Sequence, residues 1–325
     1  MHYVINDKFV TLIRWNTWIP SRADSAKKNY RTHNICEGSE LETNYLEYAG
    51  HRLAVHTAGN DNRITCVFVH GGPGGRSPVD FGELLAKYFR IVMYDQFGGG
   101  DSDPYDGISD LDAQYYLDEI HNLIPRIVRG PYVIIGYSWG AALAVSYASE
   151  CKDADLLGVV LISPFLSGPV WTSDQIAILR TISPPMAEDM ERYVRTEYVG
   201  KEAMDILAVL FEKTLFMKEE NRRNSHRFAH IPIARVCLRL WGKNDGIPIG
   251  PLKDFDITEH LRKVRVPTLI LYGSSDQVTD RAVNSYLELL PHGSRRSIFS
   301  AGHYTITEEP ELYLEQILGF IDSIE

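Results

Sequence analysis

The sequence predicts an α/β fold, a mostly parallel, doubly wound sheet with a helical cap insertion. Three observations predict it. Apolar runs of strand length alternate with helical segments from Ile64 to Ser163, the pattern of strands joined in parallel through helices. The alternation stops after Ser163 and resumes at Thr268, which marks an insertion. Finally, Gly136-Tyr137-Ser138-Trp139-Gly140 sets a serine between glycines where a strand gives way to a helix, a turn that lifts a hydroxyl above the carboxyl edge of such a sheet.

Residues 1–43 are polar with apolar islands at Phe9, Leu12, Ile13, Trp15 and Trp18, and read as an N-terminal extension. From Asn44 a hairpin is expected: Tyr45–Tyr48, a turn at Ala49-Gly50, then Arg52–His56. A strand over Ile64–Val69, a helix over Val79–Lys87 and a strand over Phe89–Tyr94 follow. A Ser109-x-x-Asp112 capping box opens a helix over Ser109–Ile127. Pro131–Ile135 is a short buried strand, Ala141–Ala148 a helix and Leu157–Ser163 a strand. Residues 164–265 lack strand patterning and read as a helical cap, a lid over the carboxyl ends of the strands, where open α/β sheets bind ligands. The chain closes with a strand at Thr268–Tyr272, a helix at Asp280–Leu290, a strand at Arg295–Phe299 and a helix at Glu308–Ile324. The core is thus expected in two pieces, 44–163 and 266–325, flanking the cap.

Composition narrows the partners. A formal charge of −10 argues against nucleic acid or an anionic membrane, both of which call for a basic face. Cys36, Cys66, Cys151 and Cys237 are scattered without C-x-x-C spacing, so neither a disulfide framework nor a zinc site is indicated. Cys66 and Cys237 lie in apolar runs and read as ordinary buried thiols. No apolar run of roughly 18 residues occurs, and the first residues lack a basic start followed by an apolar stretch. A cytoplasmic location is expected.

The serine motif alone arises by chance about one time in ten in a chain of this length, so its setting carries the weight. A serine hydroxyl attacks only when a base takes its proton and an acid holds that base in the right tautomer. On this type of sheet the chain order is Ser, then Asp or Glu, then His. After the resumed strand only His292 and His303 remain. His292 follows Leu289-Leu290-Pro291 at a helix end and reads as a cap, whereas His303 sits in a loop beyond the last strand. His303 is therefore the candidate base. Asp276, in Tyr272-Gly273-Ser274-Ser275-Asp276, lies just past the preceding strand and is the candidate acid; Asp256 is the other acid to test. The developing oxyanion needs preorganised N–H donors. One is expected from Trp139, directly after the serine. The other is assigned to Gly72, in the loop His70-Gly71-Gly72-Pro73-Gly74-Gly75 after Val67-Phe68-Val69. That loop has neither a G-x-G-x-x-G pattern nor a Walker lysine, so phosphate binding is disfavoured.

His70-Gly71-Gly72-Pro73-Gly74, Tyr94-Asp95-Gln96-Phe97-Gly98-Gly99-Gly100-Asp101-Ser102 and Gly136-Tyr137-Ser138-Trp139-Gly140 resemble the proline iminopeptidase (prolyl aminopeptidase) family of α/β-hydrolases. Lys253-Asp254-Phe255-Asp256-Ile257-Thr258, Val266-Pro267-Thr268-Leu269 and Gly302-His303-Tyr304-Thr305-Ile306-Thr307-Glu308-Glu309-Pro310-Glu311 fit the same pattern in one register, from about residue 44 to the end. The resemblance implies the α/β-hydrolase fold, supports the three catalytic and two oxyanion assignments, and marks Asp95 and Gln96 as loop-organising residues. It also implies acidic residues that hold the substrate's amino group. Those positions fall here on Asp245, a shorter acid, and on Gln277, which is neutral.

The expected function is a serine hydrolase that cleaves an amide or peptide bond of a small, amino-bearing acyl substrate through an acyl-enzyme. Ser138 is the nucleophile, His303 the proton carrier and Asp276 its orienter, with Asp245 and Gln277 as substrate contacts. No metal or other cofactor is expected. The alternatives are an esterase, lactonase or thioesterase on a neutral metabolite, which Gln277 favours, and a non-catalytic receptor that keeps the fold as a pocket. The expected partner is a small molecule or short peptide. Residues 1–43 or the cap would be the surfaces for any homo-oligomer.

Overall fold

Side-chain alternation along the central strands fixes two layers of helices, because successive residues face opposite sides of a sheet. In this computed structural model, which describes residues 41–60, 63–107, 110–197, 200–218, 235–242, 246–290 and 294–324, the strands are β1 (Glu42–Tyr48), β2 (His51–Ala58), β3 (Thr65–Val69), β4 (Arg90–Tyr94), β5 (Tyr132–Tyr137), β6 (Leu156–Ile162), β7 (Thr268–Gly273) and β8 (Arg295–Phe299). Their order is β1-β2-β4-β3-β5-β6-β7-β8. β1 and β2 form the antiparallel hairpin, β2 pairs antiparallel with β4, and all later pairings are parallel. The hairpin turns at Ala49 and Gly50, both with positive φ, as a two-residue loop matched to strand twist requires.

Val67, Val69, Val92, Tyr94 and Ile134 pack with helices α2 (Ala113–Ile127) and α3 (Trp139–Glu150). Cys66, Phe68, Ile91, Met93, Val133 and Ile135 face the other side, against α1 (Val79–Ala86) and the last helix, α10 (Pro310–Ile321). Strands buried on both faces are expected when helices cover a parallel sheet twice over. The chain runs from β3 to β4 on one side and then returns to β5 on the other. β3 and β5 are therefore neighbours whose following loops diverge, which opens a crevice at their carboxyl ends.

Most element ends shift by one to three residues, and two boundaries differ from expectation in a way that the local sequence explains. α2 begins at Ala113, with Asp112 as its N-cap accepting the Tyr115 N–H at 3.1 Å; Asp112 itself is the cap residue, so the helix starts later than the capping-box reading placed it, and Ser109 lies outside the described residues. The expected terminal helix is divided into α9 (Thr305–Glu308) and α10. Glu309 has φ −137°, since a residue before proline is pushed out of helical backbone and Pro310 serves as the first residue of the next helix. Cys66 is buried as expected, but Cys237 is only half-buried. Among the described residues no helix is long and apolar enough to cross a membrane.

Between β6 and β7 the described residues form α4 (Gly168–Ile182), α5 (Pro184–Thr196), α6 (Lys201–Thr214), α7 (Arg235–Leu240) and two 3-10 turns. α4 to α6 share a core of their own: Leu179, Met186, Met190, Ile206, Leu207 and Leu210. The two ends of this segment are laced together. Gly168 N–H donates to Phe255 O at 2.7 Å, Ile257 N–H to Leu166 O at 2.9 Å, and Ser167 Oγ to Asp256 Oδ2 at 2.9 Å. Asp256, the second acid considered above, is thus engaged in closing the insertion.

α4 is also fixed to α8 (Asp280–Leu289). The buried Asp174 carboxylate accepts from Thr279 Oγ1 at 2.6 Å and pairs with the largely exposed Arg281 guanidinium. Arg281→Ala would leave that carboxylate buried with a single hydroxyl donor, a loss of about 3 kcal/mol. Urea melts should show this loss, and Asp174→Ala added to Arg281→Ala should restore part of it. An Arg281→Ala protein as stable as the parent would show that the pair does not hold α4.

Candidate active site

β5 ends at Tyr137 and α3 begins at Trp139, so the whole reversal falls on Ser138. It has φ 52° and ψ −116°, a strained backbone for a residue with a side chain and one that persists only where neighbours enforce it. They do so by close approach. A Cβ on Gly136 would stand 2.5 Å from Gly140 O, and one on Gly140 would run into the carbonyl oxygens of Val69 and His70. Ser138 N–H donates to Ile162 O at 2.9 Å, which ties the turn to β6.

His303 lies between β8 and α9, with its imidazole buried beside the serine. Nδ1 is 2.7 Å from Asp276 Oδ1 and Nε2 is 3.2 Å from Ser138 Oγ. A carboxylate only accepts, so Nδ1 carries the proton and Nε2 presents a lone pair to the hydroxyl. Asp276 is held in turn. Oδ2 accepts from Ser163 Oγ at 2.6 Å and Gly273 N–H at 3.2 Å, and Oδ1 also accepts Val278 N–H at 3.1 Å. The Tyr137 ring stacks on the imidazole at 5.8 Å, the Trp171 ring meets it edge-on at 5.6 Å, and Tyr137 OH donates to His303 O at 2.9 Å. Ser163, Tyr137 and Trp171 were not singled out in the sequence. Tyr137 and Ser163, next to the serine and at the end of the adjacent strand β6, were positions open to inspection.

The backbone around the imidazole is gripped by the inserted segment. His303 N–H donates to Thr214 O at 2.7 Å and Tyr304 N–H to Leu215 O at 3.1 Å. The Glu308 carboxylate accepts Gly302 N–H at 2.6 Å, Met217 N–H at 3.0 Å and Lys218 N–H at 2.6 Å. One buried carboxylate therefore bridges the end of the α6 region and the His303 loop.

Across the crevice, the loop after β3 presses on the serine: a Cβ on Gly71 would lie 3.1 Å from Ser138 Cβ. Gly72 follows with φ +127°. Trp139 is the first residue of α3, where an N–H has no intrahelical acceptor. Neither the Gly72 nor the Trp139 N–H has an acceptor among the described residues. Gln96 joins the two elements. Its amide donates to His70 O at 2.7 Å and accepts Trp139 Nε1–H at 3.1 Å, and its backbone N–H donates to His70 Nε2 at 2.9 Å. His70 Nδ1–H must then point at Gly71 O, 2.7 Å away. Burial lowers the His70 pKa, consistent with this neutral tautomer.

Asp95 anchors the other side of the same loop. Burial alone would raise its pKa, but the hydrogen bond to His56, 3.2 Å away, and the N–H groups of Asp101 and Ser77 outweigh burial and hold it well below the usual carboxylate range. His56, Asp95 and Asp101 bring possible metal-ligating atoms within 4.8 Å of one another. The Asp95 oxygens are already occupied by these donors, and Asp101 faces Arg76 at 3.2 Å, so the set reads as a hydrogen-bonded brace.

The expected substrate contacts part company. Gln277 is buried beside Asp276, whereas Asp245 and His292 lie outside the described residues. Behind the loop, the Glu119 carboxyl accepts Phe97 N–H at 3.2 Å, its one partner among the described residues, and burial pushes its pKa up to about 8. An unfolded chain would ionise it near the ordinary 4.5. Between those values the unfolded state binds fewer protons, so this group's contribution to stability is full below about pH 4.5 and lost as pH rises to about 8. Glu119→Gln should therefore gain in melting temperature relative to the parent between pH 5 and pH 8. Parallel curves would contradict a protonated Glu119.

Comparison with known proteins adds to this geometry. Residues 66–316 match the family model described as alpha/beta hydrolase family. The proline iminopeptidase of Saccharolobus solfataricus is 31% identical over 271 residues, which are 82% of this chain and 86% of that protein. The crystal structure of VinJ superposes with TM-score 0.76 at 23% identity, covering 87% of this chain and 99% of that one. The proline iminopeptidase of Mycobacterium smegmatis gives 0.74 at 18%, covering 87% and 98%. At these identities the structural likeness speaks for the fold alone.

Proposed function

Because the chain belongs to the alpha/beta hydrolase family, with named proline iminopeptidases among its relatives, we propose that it is a serine hydrolase acting on an amide or peptide bond of a small acyl substrate. The observation that carries this reading is the chain of contacts from Ser138 Oγ to His303 Nε2, at 3.2 Å, and from His303 Nδ1 to Asp276, at 2.7 Å. His303 takes the serine proton as Oγ attacks the carbonyl, and Asp276 stabilises the imidazolium that forms. The N–H groups of Trp139 and Gly72 receive the oxyanion. His303 then protonates the leaving amine, and the acyl-serine is hydrolysed by a water that His303 deprotonates. The inserted helices α4 to α6 act as the lid, with Trp171 of α4 bringing an apolar wall to the imidazole.

A second reading, an esterase or thioesterase, is favoured by the neutral Gln277 where related aminopeptidases would need a charge. Matched acyl anilides and esters on one preparation separate the two by their kcat/KM.

Ser138→Ala and His303→Ala should each lower kcat by about 10⁴–10⁶, because such groups act as a unit, and Asp276→Asn by about 10⁴. A fluorophosphonate should label the parent and leave Ser138→Ala unlabelled. Near-parental turnover by either alanine variant would refute the reading.

A further inference from the structure

Two buried amide side chains next to the proposed reacting groups have unsatisfied polar atoms. Gln175, on α4, is fully buried, and Gln277 is 2% exposed. Gln175 Nε2 donates to Gln277 O at 2.6 Å. This orients the Gln175 amide and leaves its Oε1 as a buried acceptor with no partner among the described residues. Gln277 Nε2 is likewise a buried donor without a partner. The location is defined from both sides. Gln277 follows the aspartate that holds His303. Gln175 lies one helical turn beyond Trp171, on the same face of α4, and Trp171 touches the imidazole at 5.6 Å.

Among the described residues, the buried carboxylates around the centre each accept donors from the protein itself. Asp276 holds His303, Asp174 holds Thr279 and Arg281, Glu308 takes three backbone N–H groups, Asp95 takes the N–H groups of Ser77 and Asp101, and Glu119 takes the Phe97 N–H. An ammonium offers only donors and carries a charge that two neutral amides do not offset in a dry site. A carboxylate offers only acceptors and would leave Gln175 Oε1 unmet. A neutral amide offers one of each.

We infer that Gln175 and Gln277 form a subsite for a neutral amide on the acyl portion of the substrate, a lactam or N-acylamino group in place of a free amine. This rests on the proposed reacting centre at Ser138 and narrows its substrate to amino-blocked acyl groups. Gln277 Nε2 donates to the carbonyl of that amide, and Gln175 Oε1 accepts its N–H.

The test uses the full chain carrying Ser138→Ala and reads binding by calorimetry at pH 7, so it does not depend on turnover. Pyroglutamamide and prolinamide share a five-membered ring and differ in a neutral lactam against a charged amine. Pyroglutamamide should bind at least tenfold tighter. Gln175→Leu and Gln277→Leu should each remove at least tenfold of that affinity, and Gln277→Glu should shift preference toward prolinamide. Should the leucine variants fail to fold, Gln277→Glu, which keeps the shape and leaves the Gln175 contact to Gln277 O in place, reads the change in preference. The inference is overturned by equal or tighter prolinamide binding, by no detectable binding of pyroglutamamide, or by folded variants with unchanged preference. Fluorophosphonate labelling of the parent tests the hydrolase reading separately, so either can fail alone.

Discussion

The site depends on one backbone reversal. At Ser138 the chain leaves a buried strand and enters a buried helix within a single residue, at a φ that a side chain disfavours. That conformation raises the hydroxyl out of the sheet, and everything around it is arranged to keep it there. Gly136 lets α3 sit on β5, and Gly140 lets α3 sit on the carbonyls that end β3. The two buried layers beneath supply the packing that overcomes the local cost, with Trp139 and the alanines of α3 fully enclosed.

From this reversal the rest of the centre is built by support at one remove. Gln96 clamps the indole of Trp139 to the carbonyl of His70 and so sets the distance between the two elements that carry the proposed N–H donors. Ser163 plays the matching part for Asp276. Such supports matter because proposed N–H donors and a proposed base act only when placed to within a fraction of an ångström.

Much of this was legible in the sequence for physical reasons. Strand length, helical length and glycine spacing are local properties, so the sheet, the serine turn and the loop at His70–Gly75 could be read directly. Chain order restricted the base to His292 and His303, and the structure brings His303 to the serine. What could not be read was tertiary. Nothing local says that Asp256 turns to Ser167 while Asp276 turns to His303. Nor does the sequence show that Trp171 and Gln175, an ordinary-looking pair on a helix of the insertion, approach the centre. The start of α2 is not fixed by composition either, because Ser109 and Asp112 are both good cap residues and only the backbone of Asp112 decides between them. The break at Glu309 was, by contrast, visible in Pro310.

Glu308 has a mechanical consequence. Its carboxylate, together with the carbonyls of Thr214 and Leu215, fastens the imidazole loop to the trailing end of α6. Any swing of that end wide enough to admit a bulky molecule would drag the loop with it and part the nitrogen from the hydroxyl. Opening on that flank would therefore be incompatible with the proposed proton transfer, and traffic into the crevice would have to pass elsewhere or alternate in time with it.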